Sequence, residues 1–158
     1  MISIGQKIPS CSVFRWSGQG PDKVDSETLF KAQKTLLIAV PGGFTPTCND
    51  QLPHYKGLAG DFKKKGIEAF YCLAINDIFV LQEWARSLGI DDTIHMIADG
   101  NGDFTRAVDM VCDLTAMGLG VRSKRYTVVI DGGSVTHLFN DDGPAFDKTE
   151  ASKVLAGL

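Results

Sequence analysis

The chain has 158 residues, 44% of them apolar, a formal net charge of −3 and a mean hydropathy near zero. That length fits one domain with an ordinary buried core. No basic block or aromatic-interleaved Lys/Arg stripe speaks for nucleic acid, and no run approaches the roughly 18 apolar residues of a membrane span.

Gly18-Gln19-Gly20-Pro21 separates short apolar patches around Val13 and Val24, which predicts an N-terminal β-hairpin followed by a helical turn near 26–30. The run Thr35-Leu36-Leu37-Ile38-Ala39-Val40 predicts a buried strand. Beyond it Leu52, Tyr55, Ala59 and Phe62 recur at helical spacing, so a helix is expected over 46–64, ending near Lys63-Lys64-Lys65-Gly66. Pro53 inside that helix should kink it, because it has no N–H for the carbonyl four residues back. A second buried strand is predicted over 67–75. A helix over 77–87 follows, with Val80, Leu81, Trp84 and Leu88 as its apolar face. The third strand is read over 94–98, and after the turn Asp99-Gly100-Asn101-Gly102 a helix over 104–112. Strands at 126–130 and 134–139 flank Asp131-Gly132-Gly133 as a hairpin. A last helix over 148–156 is opened by Asp147 and Glu150 in capping-box spacing.

Strand–helix–strand units followed by a hairpin and a helix predict an α/β domain over 1–158, with a central mixed β-sheet and helices on both faces. Sites in such sheets gather at the carboxyl ends of strands. Cys48, Asn76-Asp77 and the loop after Ala98 all fall at such ends.

Cys48 carries the strongest chemical signal. It ends the run Pro41-Gly42-Gly43-Phe44-Thr45-Pro46-Thr47-Cys48, where a strand gives way to a helix. With Thr45 as N-cap and Pro46 at the first helical position, Cys48 occupies the third. A thiolate there faces unpaired N–H groups and the positive end of the helix dipole. The competing reading is a buried cysteine that only packs. The other thiols, Cys11, Cys72 and Cys112, are widely spaced and form no Cys-x-x-Cys, and His54, His95 and His137 form no ligand pair. That pattern speaks against a zinc site and a thioredoxin-type dithiol, and the expectation is a protein without metal or other cofactor.

The eight-residue run followed by Leu52-Pro53 resembles the active-site loop of peroxiredoxins and matches their Pro-x-x-x-Thr-x-x-Cys signature in full. Three further segments are similar to the branch called type II in plants and peroxiredoxin 5 in animals: 72–80 with Trp84, Ile97-Ala98-Asp99-Gly100, and 118–126. The likeness runs from about Ile4 to the C-terminus. It implies a thioredoxin-like fold and reduction of hydrogen peroxide and alkyl hydroperoxides. Cys48 is then the peroxidatic cysteine, which becomes a sulfenic acid. Thr45 hydrogen-bonds the thiolate and the peroxide, Pro41 shields the thiolate from water, and Arg125 is the catalytic arginine. Without the resemblance, Arg125 reads as one of a solvated cluster with Arg122 and Lys124; those two stay surface charges. Phe79 and Trp84 lie where relatives form a dimer contact, and equally suit core packing. His54 reads as solvated.

A sulfenic acid must be reduced before it oxidises further. Many animal members of the branch carry a resolving cysteine near the C-terminus, but this chain has no cysteine after Cys112. Cys72 occupies the place of a second redox cysteine in plant-type members, yet its mid-strand setting reads as packing, and Cys11 and Cys112 read as structural. The expectation is a one-cysteine peroxidase in a homodimer, regenerated by glutathione/glutaredoxin or thioredoxin. The alternative is a peroxide sensor that relays oxidation from Cys48 to a partner protein. The absence of a signal-peptide core in the first residues points to the cytoplasm.

Overall fold

The computed structural model describes residues 1–141 and 146–158. The N-terminal hairpin pairs β1 (Ser12–Trp16) with β2 (Pro21–Asp25) antiparallel, and α1 (Ser26–Lys31) follows at once. Asp25 starts that helix by accepting from the Thr28 N–H. Three strands then run parallel: β3 (Thr35–Ala39), β4 (Ala69–Ala74) and β5 (His95–Ala98). β8 (Tyr126–Asp131) and β9 (Ser134–Asn140) form the later hairpin. The seven strands make one mixed sheet in the order β2-β1-β5-β4-β3-β8-β9.

Every residue of β3 is buried, and its side chains alternate between two cores. Leu36 and Ile38 join Leu52, Tyr55, Phe62, Leu81, Trp84 and Val154 on one face. Leu37 and Ala39 join Phe30, Phe104 and Val128 on the other. Helices on both faces are thus what closes the core. On the first face Phe62 stacks on Tyr55 and meets Phe70 edge-on. Phe62→Ala should cost about 3–5 kcal/mol, by lost transfer and the cavity left behind. A urea titration followed by circular dichroism checks this.

Three sequence expectations are corrected. The helix over 46–64 is two helices, α2 (Pro46–Gly57) and α3 (Ala59–Lys64), and the break falls at Leu58 rather than at Pro53. Leu58, at φ −100° and ψ 6°, leaves helical geometry just after a glycine, whereas α2 runs through Pro53 with one backbone bond missing. The helix over 104–112 is shorter: α5 (Asp103–Ala107) stops before Asp109, whose φ of 54° is left-handed. β-Branched Val111 then opens β6 (Val111–Leu114), which pairs with β7 (Gly120–Ser123) in a separate ribbon. The left-handed Gly118 lies in the turn joining them, and Gly120, also left-handed, opens β7. The last helix, α6 (Ala151–Ala156), opens with Glu150 as N-cap and no side-chain cap, while Asp147 pairs with Lys153. The turn before it is held instead by Asp141. α4 (Ile78–Ser87) lies where expected, capped by Asp77 on the Val80 N–H.

Candidate active site

β3 ends at Ala39, and the chain crosses Val40 and Pro41 into the loop that starts α2. Thr45 is the N-cap in extended geometry, with Pro46 at the first helical position. The Asn49 N–H closes a turn on the Thr45 carbonyl at 2.9 Å. The N–H groups of Thr47 and Cys48 therefore belong to the unpaired set at the helix start. Cys48 is fully buried at this point, on the face that carries Leu52 and Tyr55.

The register of the sheet delivers the partner. β8 is antiparallel to β3, with Tyr126 opposite Ala39. The residue before β8 therefore sits at the same sheet end as the start of α2. That residue is Arg125, only 9% exposed. Its Nη2 donates to Cys48 Sγ at 3.3 Å, and its Nη1 donates to Gln51 Oε1. The Phe146 ring centroid lies 5.8 Å from the guanidinium carbon. Arg125 is a buried cation held on the thiol, not a member of a solvated cluster.

The loop over Cys48 is pinned from three sides. Asn76 Oδ1, beyond the end of β4, accepts from the Gly43 N–H at 2.9 Å. The Thr45 hydroxyl donates to the Gly42 carbonyl at 2.9 Å, so in this state it is not on the sulfur. Arg122, from β7, donates to the carbonyls of Leu119 (2.8 Å) and Pro41 (3.3 Å). Arg122 is thus a structural clamp, contrary to its reading as a surface charge. Its Nη1 lies 2.7 Å from where a Cβ on Gly42 would stand, which explains a glycine there.

Gln51 is a site residue the sequence reading missed. Its one signal was position, a turn beyond Cys48 on the same helix. Trp84 belongs to the core: it is fully buried and its Nε1 donates to Asn49 Oδ1 at 2.6 Å. Phe79 is 62% exposed, with an edge against Trp16. His54 is exposed. Cys72 is fully buried in β4, in the core that includes Cys48. Burial pushes its thiol well up, the neighbouring Cys48 adds to the rise, and Arg125 opposes it. Cys11 and Cys112 are half-buried, and burial also raises the Cys11 thiol.

A buried thiol at a helix N-terminus, touched by a fixed guanidinium, is equipped for attack on a small electrophile whose leaving atom gains negative charge. Known proteins agree with that chemistry. A family model described as Redoxin matches residues 3–155. Peroxiredoxin-2E, chloroplastic, of Arabidopsis thaliana is 38% identical over 162 residues, spanning 99% of this chain and 69% of that protein. Peroxisomal membrane associated protein 20 of Schizosaccharomyces pombe is 35% identical, with 100% of both chains covered. The crystal structure of reduced Prx3 from Vibrio vulnificus, in complex with H2O2, is similar at a TM-score of 0.94 and 35% identity, over 99% of each chain. The sheet order, the Cys48 loop and these likenesses converge: the chain belongs to the redoxin family, as a thiol-dependent peroxidase of thioredoxin-like fold in the type II and peroxiredoxin 5 branch of the peroxiredoxins.

Proposed function

We propose that Cys48 is the peroxidatic residue and that an external thiol regenerates it. The observation that carries this reading is the 3.3 Å contact between Arg125 Nη2 and Cys48 Sγ. The thiolate attacks one oxygen of hydrogen peroxide or of an alkyl hydroperoxide, and the O–O bond breaks. Sulfur is oxidised to the sulfenic acid; the other oxygen takes a proton and leaves as water or alcohol. Arg125 aligns the peroxide and faces the negative charge on the leaving oxygen, a task suited to a cation that never deprotonates. Thr45 directs its hydroxyl at the bound peroxide, for which it must leave the Gly42 carbonyl. Pro41 keeps bulk water off the sulfur.

The external thiol then attacks the sulfenic acid, forming a mixed disulfide and water; a second thiol releases reduced Cys48. Glutathione with glutaredoxin, or thioredoxin, supplies this thiol in the cytoplasm, while Cys72 is fully buried with its thiol pushed well up. A steady-state assay with glutathione/glutaredoxin and with thioredoxin, combined with mass analysis of the peroxide-treated protein, tests the reading. Sustained turnover and a glutathione adduct on Cys48 support it. A Cys48–Cys72 disulfide as the main product, or one fast oxidation without turnover as in a relay, would overturn it.

The raised Cys72 thiol carries its own expectation. Its thiolate fraction stays below that of a free cysteine until the pH passes its elevated pKa. Iodoacetamide at pH 8 should therefore leave Cys72 unmodified in the native protein and label it after unfolding, as read by peptide mass spectrometry.

The likeness to the branch and the apolar side chains around the loop also support a homodimer. Phe44, Phe79, Met117 and Val121 are exposed on segments bonded to, or adjoining, the Cys48 loop. Phe79→Glu should shift the protein to a monomer in sedimentation velocity at micromolar concentration. A wild-type monomer under those conditions contradicts the dimer.

A further inference from the structure

Behind the reactive pair lies a chain of hydrogen bonds that ends in a segment with no chemistry of its own. Asp141 is 4% exposed and follows β9. Its Oδ1 accepts from the N–H groups of Asp147 (3.2 Å) and Lys148 (2.6 Å). Its Oδ2 accepts from the N–H of Thr149 (3.1 Å) and from the Thr149 hydroxyl. Four donors on one carboxylate fix the turn at 147–149 against the body of the protein.

That turn aims the Thr149 carbonyl at α2. The carbonyl accepts from Gln51 Nε2 at 3.3 Å and from the Tyr55 hydroxyl. Burial pushes the Tyr55 phenol far up, so it keeps its proton and remains a donor. With that proton on Thr149, the Thr127 hydroxyl must donate to the Tyr55 oxygen across their 3.0 Å contact.

Gln51 is the adaptor. A carboxamide presents donors at one end and acceptor lone pairs at the other. The Thr149 carbonyl takes the donor end, which turns Oε1 toward Arg125 Nη1. A flipped amide would set NH2 against guanidinium, donor facing donor. The circuit closes where the Asp141 N–H reaches the Arg125 carbonyl at 3.4 Å.

We propose that the Asp141-held turn positions Arg125 through Gln51, and that Asp141 and Thr149 thereby set the rate at which peroxide oxidises Cys48. The proposal rests on the reading of Arg125 as the catalytic arginine. Asp141 and Thr149 are positioning residues: neither is placed to touch the peroxide. Loss of the anchor frees the Gln51 amide to rotate, and the guanidinium then loses one of the side chains that fix it over the sulfur.

Stopped-flow oxidation of reduced protein by hydrogen peroxide tests this with Asp141→Asn, Thr149→Val and Thr149→Ser, and with the first two repeated on a Gln51→Leu background. Asp141→Asn should slow oxidation about tenfold, the scale of one hydrogen bond to a charged group. Thr149→Val should slow it several-fold, and Thr149→Ser, which keeps the hydroxyl, should recover most of that loss. On the Gln51→Leu background neither Asp141→Asn nor Thr149→Val should slow oxidation further, because the link is already cut. Equal slowing on both backgrounds would mean general loosening, and would overturn the proposal. So would unchanged rates in Asp141→Asn and Thr149→Val while Arg125→Ala is slow. A fast Arg125→Ala would instead overturn the reading of the arginine itself. Should Asp141→Asn fail to fold, Thr149→Val alone decides, since it removes only one hydroxyl.

Discussion

Cys48→Ser is expected to fold and to lose peroxide consumption entirely. Serine differs from cysteine by one atom, and the site is closed by packing from Leu52, Tyr55 and the β3 strand, so the exchange should cost only about 1 kcal/mol of stability. The chemistry, in contrast, has no substitute. A hydroxyl does not become a sulfenic acid, and no other thiol meets a guanidinium in hydrogen-bond contact among the described residues. Peroxide consumption in the presence of an external thiol should fall to the uncatalysed rate, with an unchanged far-ultraviolet circular dichroism spectrum. Retained activity in this variant would move the reaction to Cys11, Cys72 or Cys112 and end the assignment.

Arg125→Ala is expected to slow Cys48 oxidation by about 100- to 1000-fold, the usual loss when one fixed donor to a developing oxyanion is removed. Two effects act together. The peroxide loses the group that aligns it, and the leaving oxygen loses its counter-charge in a site with little water to replace it. Arg125→Lys should recover only part of the rate. An ammonium is a single point of charge, and it cannot hold Gln51 and reach Cys48 with a rigid fork as the guanidinium does. Stopped-flow measurement at several peroxide concentrations checks both variants. A rate within threefold of wild type for Arg125→Ala would rule out its catalytic role.

Much of this was legible in the sequence because it was written locally. The run 36–40 is apolar without interruption and is fully buried, and Pro46 marks the start of α2 by its ring, with Thr45 in the N-cap position. The missed pieces are those where distant residues decide. Val111–Leu114 is an ordinary strand only because Gly120–Ser123 comes back to pair with it, and its helical reading ignored how poorly Val111 and Cys112 serve a helix. Asp147 and Glu150 had the spacing of a capping box, yet Asp141, six residues before Asp147, takes the N–H groups of the turn. Gln51 has no motif at all. Its role exists because β8 brings Arg125 beside it, a partner 74 residues away. Arg122 likewise read as a solvated cation until the ribbon carried it to Pro41.

The proline inside α2 has a consequence for how the protein opens. Cys48 is wholly enclosed, so an external thiol, far larger than a peroxide, would reach an oxidised sulfur only once the start of α2 opens. Unwinding the whole of α2 would be coupled to the Phe62 core through Tyr55. Pro53, however, has already removed the bond that the Asn49 carbonyl would accept, so the turns before it are held less tightly than those that carry Tyr55. Pro53 therefore marks the border of a unit that can unfold alone, at a fraction of the global free energy, while Tyr55 and α3 stay docked. The amides of 49–52 should exchange with solvent through local opening, and that of Phe62, bonded to the Leu58 carbonyl, only when the core around it gives way.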